Sequence, residues 1–233
     1  SGAHVVFPTP QGYRGEGVFD NFWKLIDRWN VSFMITVPTA ISALMQRPVD
    51  ADISSLKTAF SGSSPLPVEL FKRFEKATGV EIVEGYGLTE VTCLVSCNPD
   101  QGLKKVGSVG LPLPHTNVKI LLDTAKGPKE CATNEIGEIC VENPGVFAGN
   151  TYTEAAKNKD LYHFDTYLRT GDLGRMDEDG YLWITGRAKD LIIRGGHNID
   201  PAHTGVALHC SSIGSSMHWH DHSRLPICGS VKH

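Results

Sequence analysis

Long apolar runs are missing from this chain. The longest such stretch, Val31 to Met45, spans fifteen residues, contains Pro38 and is diluted by Ser32, Thr36, Thr39 and Ser42, which is too short to cross a bilayer. Neither a Met nor a basic segment followed by an apolar core opens the sequence, so no secretory leader is expected. Six cysteines in 233 residues are too sparse for a disulfide framework and point to a reducing, cytoplasmic setting. Neither sign of charge dominates. The 22 basic and 26 acidic side chains leave a net charge of −4, no cationic field for nucleic acid or anionic lipid. Also absent are a GxSxG nucleophile elbow, a Walker phosphate loop and the glycine fingerprint of dinucleotide folds. With 40% apolar and 21% charged residues, the chain still has the composition of a globular protein with a real core.

What is present alternates. Phe19, Phe22, Trp23, Ile26 and Trp29 recur at helical spacing and predict one buried stripe between Val18 and Asn30. Val31 to Val37 reads as a strand, and Pro38 opens a helix through Met45. A strand over Lys57 to Phe60, a turn at SGSSP, a helix over Pro67 to Ala77 closed by Gly79, and a strand over Val80 to Val83 follow. This is an α/β order, with a layered, largely parallel sheet covered by helices. After about Gly110 the pattern changes to short β runs at Val118 to Leu122, Glu138 to Glu142, Leu173 to Met176 and Tyr181 to Thr185. Asp179-Gly180 between the last two is a hairpin signal, so this part reads as antiparallel hairpins or a small barrel-like subdomain, with the boundary near Pro112.

Polar, glycine-rich segments stand near the predicted strand ends, where open α/β sheets place ligands. They are SGSSPLP (61–67), GYGLTE (85–90), YLRTGDLG (167–174) and ITGRAKDLIIRGGHNI (184–199). Glycine admits a ligand to the backbone, hydroxyls donate to phosphate oxygens, a carboxylate holds a divalent cation, and Asp172 offers two acceptors to paired ribose hydroxyls. Singly, each has a plainer reading: a loop, a turn cap, a helix-start charge or a solvated strand edge. Their order and spacing together are harder to dismiss.

In that order the segments resemble the adenylate-forming superfamily of acyl-CoA synthetases, luciferases and peptide-synthetase adenylation domains, and most of all a fatty or other acyl-CoA synthetase. The likeness runs from about Gly12 to Pro201. It implies a ligase that joins a carboxylic acid to ATP as an acyl-adenylate, releases pyrophosphate, and passes the acyl group to coenzyme A, with Mg²⁺ as cofactor. The implied nucleotide-binding residues are Gly62, Ser63, Ser64, Gly85, Tyr86, Gly87, Thr89, Asp172 and Arg187. Tyr86 would stack on adenine, Thr89 would bond the α-phosphate, Glu90 would bind Mg²⁺ and Asp172 would hold the ribose hydroxyls. Arg187 would reach ribose and phosphate, and Lys189 matches a hinge, with Gly195-Gly196 in the mobile part beyond it. Thr89, Glu90 and Arg187 are the catalytic candidates, in a chemistry that neutralises charge and requires no protein nucleophile.

The resemblance also implies absences. The family's phosphate-gripping loop belongs upstream of Gly12, and its small C-terminal domain with the catalytic lysine belongs after Pro201. The chain is therefore expected to be an internal fragment, inactive alone. Residues 1–112 would be a partial α/β subdomain of the large AMP-binding domain, 113–188 the β-rich subdomain, 189–202 the hinge, and 203–233 an atypical disordered or frameshifted tail. Without its missing half, Phe19, Phe22 and Trp23 are expected to be exposed or repacked, with aggregation or a molten state as the outcome. Cys210, His218, His220, His222 and Cys228 raise a zinc reading of the tail, although their spacing matches no zinc pattern. Cys93 and Cys97 would share a face at four-residue spacing if that segment were helical. A noncatalytic nucleotide or acyl binder and an amino-acid adenylation fragment remain as alternatives. The apolar Val91 to Val95 and Val31 to Val37 favour a hydrophobic acid over an amino acid.

Overall fold

The computed structural model describes residues 2–190, 192–194 and 197–199. Helix α1 (Phe22–Trp29) buries Phe22, Trp23 and Ile26, and Asn30 ends it in the left-handed conformation at φ 48°. Trp29 departs from the expected stripe. It is 47% exposed, with His4 and Arg28 against its ring in place of the core. Strand β1 (Phe33–Thr36), helix α2 (Pro38–Leu44, proline in its first turn), strand β2 (Thr58–Ser61), helix α3 (Val68–Thr78) and strand β3 (Glu81–Leu88) continue the alternation. Gly79 closes α3 at φ 68°, a conformation glycine adopts without a Cβ penalty. β1, β2 and β3 pair in parallel. Strands β4 (Cys93–Cys97) and β5 (Leu111–Pro112) extend the same sheet antiparallel, in the order β1-β2-β3-β4-β5.

The register puts Met34, Ala59 and Ile82 in one row and Thr36, Ser61 and Glu84 in the next, on one face of the sheet. That face is buried beneath Trp23, Ile41, Leu44, Phe71 and Phe74 from the helices. Phe22 and Trp23 are accordingly 6% and 1% exposed, against the expectation that they would lose their cover. The chain's own helices supply it. The opposite face shows the exposed apolar surface instead, with Phe33 and Ile35 at 51% and 66%, as the alternation of strand side chains requires.

The second sheet is antiparallel throughout. It comprises β6 (Asn117–Thr124), β7 (Gly127–Glu130) and β8 (Gly137–Glu142), then, after the short helix α4 (Ala155–Asn158), β9 (Tyr162–His163), β10 (Tyr167–Met176) and β11 (Leu182–Arg187). The order is β11-β10-β8-β6-β7, with β9 also on β10. A second core joins both sheets, with Tyr86, Val91 and Val95 from the first and Ile139, Val141 and Leu168 from the second. Backbone bonds stitch them as well, Val109 N–H to the Leu182 carbonyl at 2.9 Å and Leu182 N–H to the Gly110 carbonyl at 2.8 Å. The expected hairpin turn lies between β10 and β11. There Asp177 accepts from the backbone N–H groups of Asp179 and Tyr181, from Trp183 Nε1 and from Lys105 Nζ. Strands β12 (Ile192–Arg194) and β13 (His197–Ile199) form an antiparallel hairpin of their own. Gly195-Gly196 and the cysteines and histidines of 203–233 lie outside the described residues. Among those described, no helix is long and apolar enough to cross a membrane.

Two of the polar segments expected at strand ends lie within strands. Gly85 to Leu88 complete β3, well past the Val83 end expected, because Gly87 marks a close approach of backbones: a Cβ there would fall 1.6 Å from the Cys93 carbonyl oxygen. All of YLRTGDLG lies in β10, where a Cβ on Gly174 would fall 2.5 Å from the Trp183 carbonyl oxygen. Cys93 and Cys97 sit at the two ends of extended β4, about 13 Å apart at strand rise, and both are free thiols. The helical pairing considered for them does not occur.

Candidate functional site

Asp172 is placed by an irregularity. The β8–β10 register slips between Arg169 and Leu173, and Gly171 takes φ 72° inside the slip, a left-handed value suited to glycine in a bulge. The slip is held by side chains. Thr170 Oγ1 donates to the Ile139 carbonyl at 2.8 Å and accepts from the Asp172 N–H at 3.1 Å, while the Gly171 N–H donates to Glu138 Oε1 at 3.1 Å. Asp172 is thereby turned toward β3, only 9% exposed. Tyr86 Oη donates to its Oδ2 at 2.7 Å. Arg187, its direct partner in the β10–β11 register, brings Nε to 3.1 Å from Oδ1. Burial, with the Asp172 charge adding to it, pushes the Tyr86 phenol far above its ordinary value, so it remains a donor at neutral pH. Its ring is packed into the second core, so stacking on a ligand would require the side chain to turn.

Thr89 and Glu90 lie on a 3-10 turn, Thr89–Val91, directly after β3. Thr92 and Cys93 follow at φ 61° and 88°, turning the chain back into β4. The turn is anchored from outside, Thr92 Oγ1 donating to the Gly145 carbonyl at 2.8 Å and Asn143 Nδ2 to the Val91 carbonyl at 3.4 Å. Thr89 is exposed and Glu90 half-buried. Tyr152 Oη donates to Glu90 Oε1 at 2.5 Å, and this bond, helped by burial, holds the Tyr152 phenol up to about 12.

Gly62, Ser63 and Ser64 follow β2, with Ser63 at φ 69° and both serines exposed. Gly62 and Gly85 meet across Phe60: a Cβ on Gly85 would fall 2.7 Å from that ring and one on Gly62 3.2 Å from it. The two glycine segments are neighbours because neither carries a side chain. Lys189 stands exposed on the 3-10 turn Ala188–Asp190.

The structure thus gathers Tyr86, Asp172 and Arg187 by direct contact, sets Thr89 and Glu90 on the turn just beyond them in sequence, and seats Gly62 against Gly85. Among the described residues no hydrogen bond joins Ser63, Ser64 or Lys189 to that group. Sequence reasoning missed Tyr152 and the pair Thr170 and Glu138 that shapes the bulge. Tyr152 lies in an irregular segment with no periodicity, 62 residues from its partner. A surface cavity lies elsewhere, lined by Val118, Ile120, Cys131 and Met176 among others, and by none of the residues singled out for the site.

This arrangement has relatives. Residues 1–150 match the family described as AMP-binding enzyme, and the chain belongs to that family. It is 42% identical over 204 residues to a marinolic acid–CoA ligase of Pseudoalteromonas sp., covering 86% of this chain and 31% of that protein. It is 39% identical over 188 residues to a long-chain-fatty-acid–CoA ligase of Bacillus subtilis, covering 80% and 33%. Among solved structures, ATP-bound MatB from Rhodopseudomonas palustris superposes with a TM-score of 0.71 at 34% identity, covering 79% of this chain and 36% of that one. The Bacillus subtilis O-succinylbenzoate coenzyme A synthetase with ATP and magnesium gives 0.69 at 30%, covering 82% and 38%. The chain spans about a third of the length of the relatives it matches.

Proposed function

We propose that this chain carries the nucleotide-binding part of an AMP-forming acid–thiol ligase, which converts a carboxylic acid and ATP to an acyl-adenylate and pyrophosphate and then transfers the acyl group to coenzyme A. The observation that carries the proposal is the meeting of Tyr86, Asp172 and Arg187, drawn from three strands in two sheets, at 2.7 and 3.1 Å. Asp172 takes the ribose hydroxyls, its two oxygens exchanging the Tyr86 and Arg187 donors for those of the sugar. Arg187, freed, turns its guanidinium to the sugar and phosphate. Tyr86 flanks the adenosine. Gly62, Ser63, Ser64, Gly85 and Gly87 give the backbone room beside adenine and acid, Thr89 donates to the α-phosphate, and Lys189 marks the hinge. Glu90 suits Mg²⁺, because it is a hard oxygen donor with only one of its oxygens committed, to Tyr152. The metal would offset phosphate charge. What the protein residues do is hold and orient the two anions that must meet.

The acid is proposed to be hydrophobic. Relatives named for marinolic and long-chain fatty acids support it. A noncatalytic nucleotide or acyl binder is the second reading, favoured by the fact that the contacts gathered here, Tyr86 and Arg187 on Asp172, are binding contacts alone. Calorimetry with a non-hydrolysable acyl-adenylate tests both. Saturable binding weakened more than about 30-fold by Asp172→Ala, a loss of two charge-assisted hydrogen bonds, supports the site, and binding indifferent to that change overturns it. Acid-dependent pyrophosphate exchange separates ligase from binder.

A further inference from the structure

The second sheet holds a group of side chains of which the nucleotide site uses only one, Glu138, and that one through a single oxygen, Oε1, which accepts from Gly171 in the bulge. Glu138 and Cys140 alternate on β8, and His163 comes from β9. Their ligating atoms all lie within 4.8 Å of one another. Cys140 is 0% and His163 9% exposed. A tetrahedral zinc-type ion with bond lengths of 2.0 to 2.3 Å separates its ligands by roughly 3.5 Å, so small side-chain adjustments close the gap.

The surroundings are those of a supported site. Nε2 of His163 lies 3.4 Å from Asp123 Oδ1, a carboxylate–histidine contact of the kind that orients a ligating ring. Arg169 binds Glu138 Oε2 through Nε and Nη2 at 2.9 and 2.7 Å and reaches Asp123 Oδ2 at 2.9 Å. It therefore locks both carboxylates, and Glu138 Oε1, which accepts only from the Gly171 N–H, keeps a lone pair for an ion. Charge closes as well, since two carboxylates and one thiolate are balanced by Arg169 and a divalent cation. Asp123 is 57% exposed and gives an ion its way in.

We propose that Glu138, Cys140 and His163 form a binding site for a divalent ion of the zinc type, with water in the fourth position and Asp123 and Arg169 as its supporting shell. Sulfur and imidazole ligands select such an ion over magnesium or calcium. On binding, the Cys140 thiol proton leaves to solvent and a metal–sulfur bond replaces it. The ion would tie β8 and β9 together beside β10 and needs no adenylate to do so. Its test is independent of the nucleotide-binding reading.

The experiment is a titration of the metal-free full chain with Co²⁺, followed by absorption. A saturable thiolate-to-cobalt charge-transfer band is expected. The band should vanish in Cys140→Ser and persist when Cys210 and Cys228 are both replaced by Ser, which separates this site from the C-terminal histidines and cysteines. The affinity should fall more than about tenfold in His163→Gln and by about tenfold in Asp123→Asn, a change at an exposed carboxylate that leaves the core alone. No band, a band that survives Cys140→Ser, or Co²⁺ affinity unchanged in both His163→Gln and Asp123→Asn overturns the site.

Discussion

Single side chains in this molecule are held by partners far away in sequence. Tyr152 is one. With its phenol held up to about 12 by Glu90, above the ordinary 10.0, the stability it contributes is intact below about pH 10 and lost as pH rises through about 12. Ultraviolet titrations of the unaltered protein and of Tyr152→Phe should differ by one tyrosine titrating near 12, distinct from the still later Tyr86, and Glu90→Gln should return that tyrosine toward 10; a difference titration centred at 10 in the unaltered protein refutes the contact. Tyr86→Phe removes a buried donor to a charged acceptor, and chemical denaturation should report a loss of about 2 kcal/mol. None of these contacts was legible in the sequence. Tyr86, Glu90 and Asp172 could be singled out from their motifs, and the contact between Tyr86 and Asp172 is what the structure adds. Which residues pair could not be read, because a contact across 62 or 86 residues leaves no local pattern.

Elements show the same division. Helices α1, α2 and α3 follow from apolar spacing, Pro38 and Gly79, and lie within a residue or two of where the pattern puts them, apart from the first turn of α1, which is 3-10 at Phe19–Asn21. Strands β3 and β10 were cut short, because a glycine that lets two backbones meet looks in sequence like one that lets a chain turn. Gly87→Ala tests this directly. Its Cβ collides with the Cys93 carbonyl, and the change should cost roughly 3 kcal/mol, whereas a plain turn would lose almost nothing. The β10–β11 hairpin depends on Asp177. Burial opposes its charge, but Lys105, Trp183 and two backbone N–H groups outweigh it and hold the carboxyl well below its ordinary value. A depressed carboxylate stabilises the fold above its unfolded pKa and loses that contribution as pH falls toward the folded value. Thermal melts should therefore show Asp177→Asn less stable at pH 7 by about 2 kcal/mol, with the difference narrowing below pH 4.

For the whole molecule, the covered face of the first sheet argues for a cooperative core, and the bare face argues for adhesion. Phe33, Ile35 and the half-exposed Phe60 form an apolar surface on parallel strands that are ordinarily covered on both sides. The double change Phe33→Thr and Ile35→Thr should lower binding of a hydrophobic dye and raise solubility without lowering the melting temperature by more than a few degrees; dye binding that does not change would place the exposed surface elsewhere. The central claim is that Asp172, delivered by the β10 bulge to Tyr86 and Arg187, recognises a ribose. Calorimetry of one acyl-adenylate analogue and its 2′,3′-dideoxy counterpart, against the unaltered chain and Asp172→Asn, measures that recognition most directly. The unaltered chain is expected to prefer the ribose form by more than about tenfold and Asp172→Asn to abolish the preference; equal affinities in the unaltered chain, or a preference that survives the substitution, would rule out ribose recognition by Asp172.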